Sequence, residues 1–482
     1  MRAMTVAEVA TATEADLAVG TDASATVTSV EFDTRRLVPG GLYVALVGER
    51  VDGHDLVDQA VAAGAVAVLA SRPVVAAVPV LVVPGGNDGV LTALAALASA
   101  SVRGLPDLTV IGVTGSAGKT STKDLVAALA SSAGRTIHPP ESFNNELGHP
   151  YTVLRADEST RYLVLELSAR GPGHIAMLAR IAPPRIGAVL NVGTAHVGEF
   201  GSVEGTAVAK GELVEALPED GVAVLNADDF RVAAMAGRTS ARVLTFGTAE
   251  DADVRAVDVT ADRRDRAQFL LVTPQGSAPV SLAVSGAHQV SNALAAAAIG
   301  LEIGLTPEDI AEVLGRTGAA SKWRMEITER ADGVTVINDA YNANPESMKA
   351  ALRSLATIGE GHRTWAVLGE MAELGDLSQP AHDEIGRLVV RLGVDRLIAV
   401  GPAIRSLFLG AHLEGSWGGE AEHVGTIEEA LAILGNELRP GDVVLVKASR
   451  SVGLERVALA LIAAVPGSDA ADGSRTTDGA AE

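Results

Sequence analysis

The chain has 482 residues, with 38 lysines and arginines against 60 aspartates and glutamates, a net charge of −22. That acidic balance argues against a non-specific grip on nucleic acid or on an anionic membrane, while leaving room for a basic pocket that takes an anionic substrate. There is no cysteine, which excludes a disulfide framework and thiolate chemistry and fits a reducing cytosol.

The length corresponds to about three domains. Aromatic residues are 3% and hydrophobic residues 48%, so the cores are built from Ala, Val, Leu and Ile, as buried parallel strands with Ala-rich helices against them. The first block, 1–106, has short strands at LYVAL (42–46) and VPVLVV (78–83) and a helical stretch near 56–63. Its opening residues carry Glu8, Glu14 and Asp16 and lack the apolar run of a secretory leader. The most apolar stretch, 60–83, is broken by Gly64, Arg72, Pro73 and Pro79, so membrane insertion is not expected. The second block, 107–317, starts with the buried strand LTVIGV (108–113). It continues through YLVLEL (162–167) and IGAVLNVG (186–193) to the Ala-rich helix SNALAAAAIGLEIG (291–304), with short alternating strands across 251–278. The third block, 318–466, holds the strands VTVINDAY (334–341), TWAVLGEM (364–371), RLIAV (396–400) and DVVLVKAS (442–449). Strands alternating with helical segments predict a doubly wound α/β fold for the second and third blocks. The last residues, 467–482, are Gly/Ser/Asp/Ala/Thr-rich and read as a disordered tail.

The sharpest local signal is TGSAGKTST (114–122), directly after a strand. A Gly-rich turn before a helix start points backbone N–H groups at a phosphate chain. Lys119 can then reach the terminal phosphates, and the Thr120 hydroxyl can sit on Mg²⁺. The form is a compact T-G-x-x-G-K-T, with Val113 where the longer P-loop pattern has its first glycine. Glu166 ends the strand YLVLEL, where ligand sites of parallel sheets lie, and a hard cation is held there by carboxylates, hydroxyls and phosphate oxygens. Taken alone, His196 in NVGTAHVGEFGS (191–202) reads as a structural histidine and Lys210 in AVAKGEL (207–213) as a surface helix lysine. The polar stretch NDAYNANPESM (338–348) suits recognition of a base, ribose or amide, or is an Asx-rich turn.

Together these residues resemble the Mur ligase family of ATP-dependent amide-forming enzymes. The resemblance is carried by FDTRRLVPGGLYVALVGERVDGHD (32–55), the P-loop variant, SFNNELGHP (142–150), ELSARGPGHI (166–175), NVGTAHVGEFGS, DAYNANP (339–345), LGEMAELG (368–375) and LVKASR (445–450). It covers nearly the whole chain except the tail. It implies three α/β domains: a small N-terminal substrate domain (1–106), a central P-loop ATPase domain (107–317) and a C-terminal Rossmann-like domain (318–466).

The resemblance also implies roles. Thr34, Arg35, Gly53 and His54 would form the uridine nucleotide pocket. Gly115, Ser116, Ala117, Gly118, Lys119, Thr120 and Ser121 would hold the ATP phosphates. Thr120 and Glu166 would hold one Mg²⁺ and His196 a second. Lys210 matches a carbamylated lysine, whose carboxylate-like group helps hold the metals. Asn292, in SGAHQVSNALAAA (285–297), would contact adenine, and Arg324 and Asp339 would also reach the nucleotide. Asn144, Asn145 and Arg170 would contact the sugar-peptide substrate, and Ala343, Asn344, Lys447 and Arg450 the incoming dipeptide. The expected substrates are UDP-N-acetylmuramoyl-tripeptide and D-alanyl-D-alanine, and the expected setting is a cytoplasmic monomer. A sister ligase adding the third amino acid carries a D-N-P-R-like element where this chain has NDAYNANPESM. A catalytically silent nucleotide-binding partner is opposed by the joint presence of Lys119, Glu166, His196 and Lys210.

Overall fold

A computed structural model of the chain describes residues 1–17, 22–140, 143–169, 171–193, 200, 202–415 and 420–463. They divide into two compact units, one within Met1–Ser321 and one within Lys322–Glu482. The expected tail, 467–482, lies outside the described residues.

The first unit opens with an antiparallel pair, β1 (Met4–Thr5) and β2 (Thr26–Val27), and then a four-stranded parallel sheet. Its strands run in order: β3 (Ser29–Glu31), β4 (Gly41–Val44), β5 (Ala65–Ala70) and β6 (Val80–Val82). The helix Gly86–Arg103 follows, burying Val90, Ala93, Leu94, Leu97 and Ala98 at helical spacing.

The same unit then builds a nine-stranded sheet from β7 (Thr109–Thr114), β8 (Thr136–Ile137), β9 (Tyr162–Glu166), β10 (Ile186–Val189), β11 (Val222–Asn226), β12 (Arg242–Gly247), β13 (Val254–Ala261), β14 (Arg266–Thr273) and β15 (Gly276–Ser285). The spatial order is β15-β14-β13-β12-β11-β10-β7-β9-β8. It is parallel from β8 to β13 and antiparallel from β13 to β15. The strands expected to be short across 251–278 instead run to eight, eight and ten residues and extend this sheet as a meander. Their buried and exposed positions alternate, and an antiparallel sheet can leave one face in water.

Side-chain alternation explains why the first two blocks make one unit. Leu163 and Leu165 of β9 join an apolar cluster with Leu42, Leu69, Leu94 and Leu97 of the small sheet and its helix. Val164 points the other way, into a cluster with Ile111, Leu125, Leu129 and Ile299. One continuous core therefore runs from the four-stranded sheet to one face of the nine-stranded sheet.

The second unit is a six-stranded sheet in order β16 (Glu326–Glu329), β17 (Thr335–Asn338), β21 (Val443–Lys447), β18 (Thr364–Leu368), β19 (Arg396–Val400) and β20 (Ala421–Val424), parallel except for β16. Val443 and Leu445 face Met348, Leu352 and Ile385, while Val444 and Val446 face Leu434, Val457 and Leu461. Helices thus cover both faces, as the alternating strand–helix pattern predicts.

In the nine-stranded sheet, β7 lies between β9 and β10. The chain leaves β7 toward one edge and later crosses to its other side at β10. The crevice at the carboxyl ends of these three strands is the topological switch point, where doubly wound sheets place ligands.

Candidate active site

The turn after β7 opens into the helix Lys119–Ala133 through Gly118, whose φ is +81°. No side chain caps this helix start, which leaves first-turn amides oriented for an anion. Two glycines are required here. A Cβ on Gly115 would come within 2.9 Å of Leu190 Cβ, and one on Gly118 would collide with Asn292 Oδ1. The loop is pinned to the end of β10. Asn191 O accepts from the Ser116 amide at 3.1 Å, Asn191 Oδ1 accepts from the Ala117 amide at 2.9 Å, and the Gly193 amide donates to Ser116 Oγ at 2.8 Å. Lys119 Nζ donates back to Gly115 O at 2.8 Å, so its ammonium sits over the loop. Ser121 lies in the first turn of the same helix.

Across the crevice, Thr120 Oγ1 donates to Glu166 Oε2 at 2.9 Å, and both side chains are buried. Asn144 Nδ2 donates to the other carboxylate oxygen at 2.8 Å and to Ser168 Oγ at 3.0 Å. An oxygen-only pair, oriented by an amide and adjoining a phosphate loop, has the donor chemistry of a Mg²⁺ site. Among the described residues no three His, Asp or Glu side chains cluster as a metal cage. Asn145 Oδ1 accepts from the Gly148 amide at 2.8 Å, fixing the start of the helix Gly148–Val153. His196 and Arg170 lie outside the described residues.

Lys210 departs from its reading as a surface lysine. It sits on the helix Val203–Glu215 and is only 4% exposed. Burial, and then the neighbouring charge of Lys119, holds its ammonium well below the usual lysine range. A buried lysine held toward its neutral form can be modified at its amine. Asn292 is buried on the helix Gln289–Glu302, donates to Gln289 Oε1 at 2.8 Å and lies against Gly118.

In the four-stranded sheet, His54 is buried and its Nε2 accepts from the Ser71 amide at 3.2 Å. The proton is therefore on Nδ1, 2.6 Å from Asp52 Oδ1; the His54 backbone amide, donating to the same oxygen at 2.9 Å, and then this ring bond hold the Asp52 carboxyl down to about 2. Gly53 has no room for a side chain, because a Cβ would meet Leu46 backbone atoms at 2.8 Å. Thr34 is half-buried, and the exposed Arg35 forks onto Asp33 at 2.9 and 2.8 Å.

In the second unit, Lys447 at the end of β21 is buried and donates to Asp339 Oδ2 at 2.5 Å and to Asn342 O at 2.9 Å. Asp339 also accepts from the Met325 amide at 3.1 Å. Arg324 lies 4.3 Å over the Tyr341 ring, and Arg450 lies 4.2 Å over Trp323 while pairing with Glu455. Asn344 caps the helix Pro345–Ile358 through Ser347, and Ala343 is buried with its carbonyl accepting from Ser449 Oγ. Asp339 and Lys447 are thus joined, while Asn344 has its carbonyl side chain committed to a helix cap.

Family models match three successive stretches: "Mur ligase family, catalytic domain" at residues 26–109, "Mur ligase middle domain" at 113–300 and "Mur ligase, glutamate ligase domain" at 323–450. The chain belongs to the Mur ligase family. A relative from Mycobacterium leprae (strain TN), named UDP-N-acetylmuramoyl-tripeptide–D-alanyl-D-alanine ligase, is 52% identical over 480 residues, covering 90% of this chain and 92% of that protein. MurF from Acinetobacter baumannii superposes with a TM-score of 0.85 at 31% identity, covering 96% of this chain and 99% of that one. MurF ligase from Thermotoga maritima in complex with ADP has a TM-score of 0.76 at 29% identity, covering 89% and 96%.

Three side chains at this site escaped the sequence reading. Asn191 pins the phosphate loop, and Asp229 Oδ2 accepts from the Val192 amide at 2.8 Å beside it. Glu212 reaches from the Lys210 helix back to the start of the helix His174–Ile181. Asn191 and Glu212 lie within motifs already singled out, NVGTAH and AKGEL. Asp229 follows the strand end LNAD, where position alone is the signal.

Proposed function

We propose that this chain is an ATP-dependent ligase of peptidoglycan precursor synthesis, joining D-alanyl-D-alanine to the free carboxylate of UDP-N-acetylmuramoyl-tripeptide. The observation that carries the reading is the buried Thr120–Glu166 pair, 2.9 Å apart beside the phosphate loop. The choice of substrates rests on the activity printed for relatives that match nearly end to end.

ATP is a substrate whose phosphates lie along the Gly115–Thr120 amides, with Lys119 Nζ turned from the loop carbonyls to the terminal phosphate. One Mg²⁺ would be held by Thr120 and Glu166 and a second by His196, and these ions would supply charge neutralisation. A tripeptide carboxylate oxygen attacks the γ-phosphorus, ADP leaves and an acyl phosphate forms. The dipeptide amine then attacks the acyl carbon, inorganic phosphate leaves, and the amine loses its proton as the amide forms. Bringing an anion to a polyanion is mainly a problem of charge and position. Lys119 answers the first, and Asn144, which holds Glu166, serves the second. Lys210 is assigned as a carbamate. Burial keeps its amine toward the neutral form that reacts with carbon dioxide, and the product would replace a cation with a carboxylate-like group able to help hold the metals.

The remaining assignments follow the same reading. The 1–106 domain takes the uridine nucleotide through Thr34, Arg35, Gly53 and His54. The 107–317 domain takes ATP, with Asn292 at adenine and Asn145 and Arg170 at the sugar-peptide. The 318–466 domain supplies Arg324 and Asp339 for the nucleotide and Ala343, Asn344, Lys447 and Arg450 for the dipeptide. The enzyme is assigned as a cytoplasmic monomer. Among the described residues no helix is long and apolar enough to cross a membrane.

The test is phosphate release from ATP and Mg²⁺ with UDP-muramoyl tripeptide, with and without D-alanyl-D-alanine. Release that needs both, and a product heavier by the dipeptide minus water, supports the reading. Absence of release with both substrates overturns it.

A further inference from the structure

Only Ser116 and Ala117 lie between the two glycines of the phosphate loop, where the longer P-loop pattern has four residues. Both are tied to the end of β10, and most of the ties run to one residue, Asn191. Its carboxamide pairs with Ala117 in both directions. The Ala117 amide donates to Asn191 Oδ1 at 2.9 Å, and Asn191 Nδ2 donates to the Ala117 carbonyl at 3.1 Å. The Asn191 carbonyl accepts from the Ser116 amide at 3.1 Å. A residue paired at both its N–H and its C=O is held as it would be inside a sheet, so a side chain carries the β7–β10 pairing on into the loop.

The backbone that presents this carboxamide is fixed as well. The Leu190 amide donates to Thr114 O at 2.9 Å, and the Leu190 carbonyl accepts from Asn226 Nδ2 at 2.7 Å. On the other side the Val192 amide donates to Asp229 Oδ2 at 2.8 Å. The second oxygen of that carboxylate caps the helix Phe230–Ala233. The Gly193 amide then closes onto Ser116 Oγ at 2.8 Å.

These bonds divide the amides of the loop. Each backbone N–H carries one hydrogen, and those of Ser116 and Ala117 are directed at Asn191. The helix start begins at Gly118, which has no side-chain cap bond, and amides of a helix start face outward along its axis.

We infer that Asn191 is a positioning residue for the nucleotide: it holds Ser116 and Ala117 in one shape, with their amides turned to β10, so that the phosphates are read by the amides from Gly118 onward. This rests on the functional reading above and narrows its phosphate contacts from the whole Gly115–Thr120 segment to the second half. Without the carboxamide the Ala117 peptide can turn, and binding must restore its shape. The fold does not depend on these bonds, because the β7–β10 ladder and the apolar clusters on both faces of the sheet remain.

The test measures binding of ADP and of a non-hydrolysable ATP analogue with Mg²⁺, by titration calorimetry, to wild type, Asn191→Ala and Asn191→Asp. Alanine removes both side-chain bonds to Ala117. Aspartate keeps an acceptor for the Ala117 amide, loses the donor to its carbonyl and adds a negative charge beside a loop that takes polyanions. The expected result is affinity weakened about tenfold in Asn191→Ala. Asn191→Asp should weaken it about a hundredfold at low salt and come back to about the alanine value near 0.5 M salt, since salt screens the added charge and does not replace the lost donor. At saturating ATP, the KM for tripeptide and for dipeptide should stay within about twofold of wild type. Wild-type nucleotide affinity in Asn191→Ala overturns the inference, and so does an equal loss against all three substrates. Amide-resolved hydrogen exchange on wild-type enzyme needs no variant. The Ser116 and Ala117 amides should be protected before nucleotide is added, while Gly118 gains protection only with ADP and Mg²⁺. An Ala117 amide that exchanges freely until ADP binds would also overturn it. Wild-type enzyme that binds neither nucleotide sinks the reading of the loop as a phosphate site, and this inference with it.

Discussion

Replacing Gly118 with alanine tests whether the shape of the phosphate loop depends on a missing side chain. At φ +81° an L-residue costs about 1–2 kcal/mol. The new Cβ would also collide with Asn292 Oδ1. Asn292 must then swing and give up its 2.8 Å bond to Gln289, a further loss of about 1 kcal/mol. The pinned loop is the form that presents its amides to phosphate, so a variant loop that relaxes away from both strains must be returned to that form on binding. The sum, about 2–3 kcal/mol, corresponds to nucleotide binding weakened by about 30- to 140-fold. Titration calorimetry with a non-hydrolysable ATP analogue and Mg²⁺ reads it directly, and a circular-dichroism melt checks that the variant is folded. The double variant Gly118→Ala/Asn292→Ala separates the two terms. It should recover the side-chain part in a double-mutant cycle and leave the backbone part. Affinity of Gly118→Ala within about threefold of wild type would refute the reasoning.

Three other outcomes follow from the geometry. Lys210→Ala should lose nearly all ligation and regain part of it with millimolar formate or acetate, which can stand in for the carbamate; full activity without supplement would remove the carbamate assignment. Tyr151 donates to Glu31 at 2.6 Å, and burial and that bond push its hydroxyl up to about 12, so it stays a donor at neutral pH. Tyr151→Phe leaves a buried carboxylate short of a donor and should lower unfolding free energy in urea by about 1–3 kcal/mol, and an unchanged midpoint would count against it. Burial pushes His149 from 6.5 to about 4. The unfolded chain then takes a proton below about 6.5 that the folded chain refuses until about 4, so stability present above that window is lost as pH falls through it, by roughly 2 kcal/mol at pH 5. His149→Leu should flatten this slope in urea melts between pH 7 and 5, and a variant with the wild-type slope would show that the loss comes from other groups.

Much of the fold was legible because its signals are local. The runs around Ile111, Val164 and Val444 announce strands buried on both faces, and the structure sends alternate residues into separate clusters. The meander across 251–278 was misjudged in length, since polar residues on its outward face interrupt the apolar pattern without ending the strands. Lys210 reads as a surface residue from its own neighbours alone, and only the family resemblance marks it as a site lysine. A lysine between alanine and glycine on a helix gives no hint that both sides of that turn are covered, by Arg238 and by the neighbouring helix.

Taken by itself, the sequence determined what depends on neighbours along the chain: a glycine turn between a strand and a helix, a lysine and a threonine at its end, and a carboxylate closing another strand. Backbone preference and side-chain period act over a few residues, so they can be read there. Tertiary structure decided which of these groups meet. Thr120 reaches Glu166 and Ser116 reaches Gly193 only because β9 and β10 flank β7, and Asp339 reaches Lys447 only because β17 lies beside β21. Strand order is settled by packing of each core, and that order brings together, within each unit, groups that lie far apart along the chain.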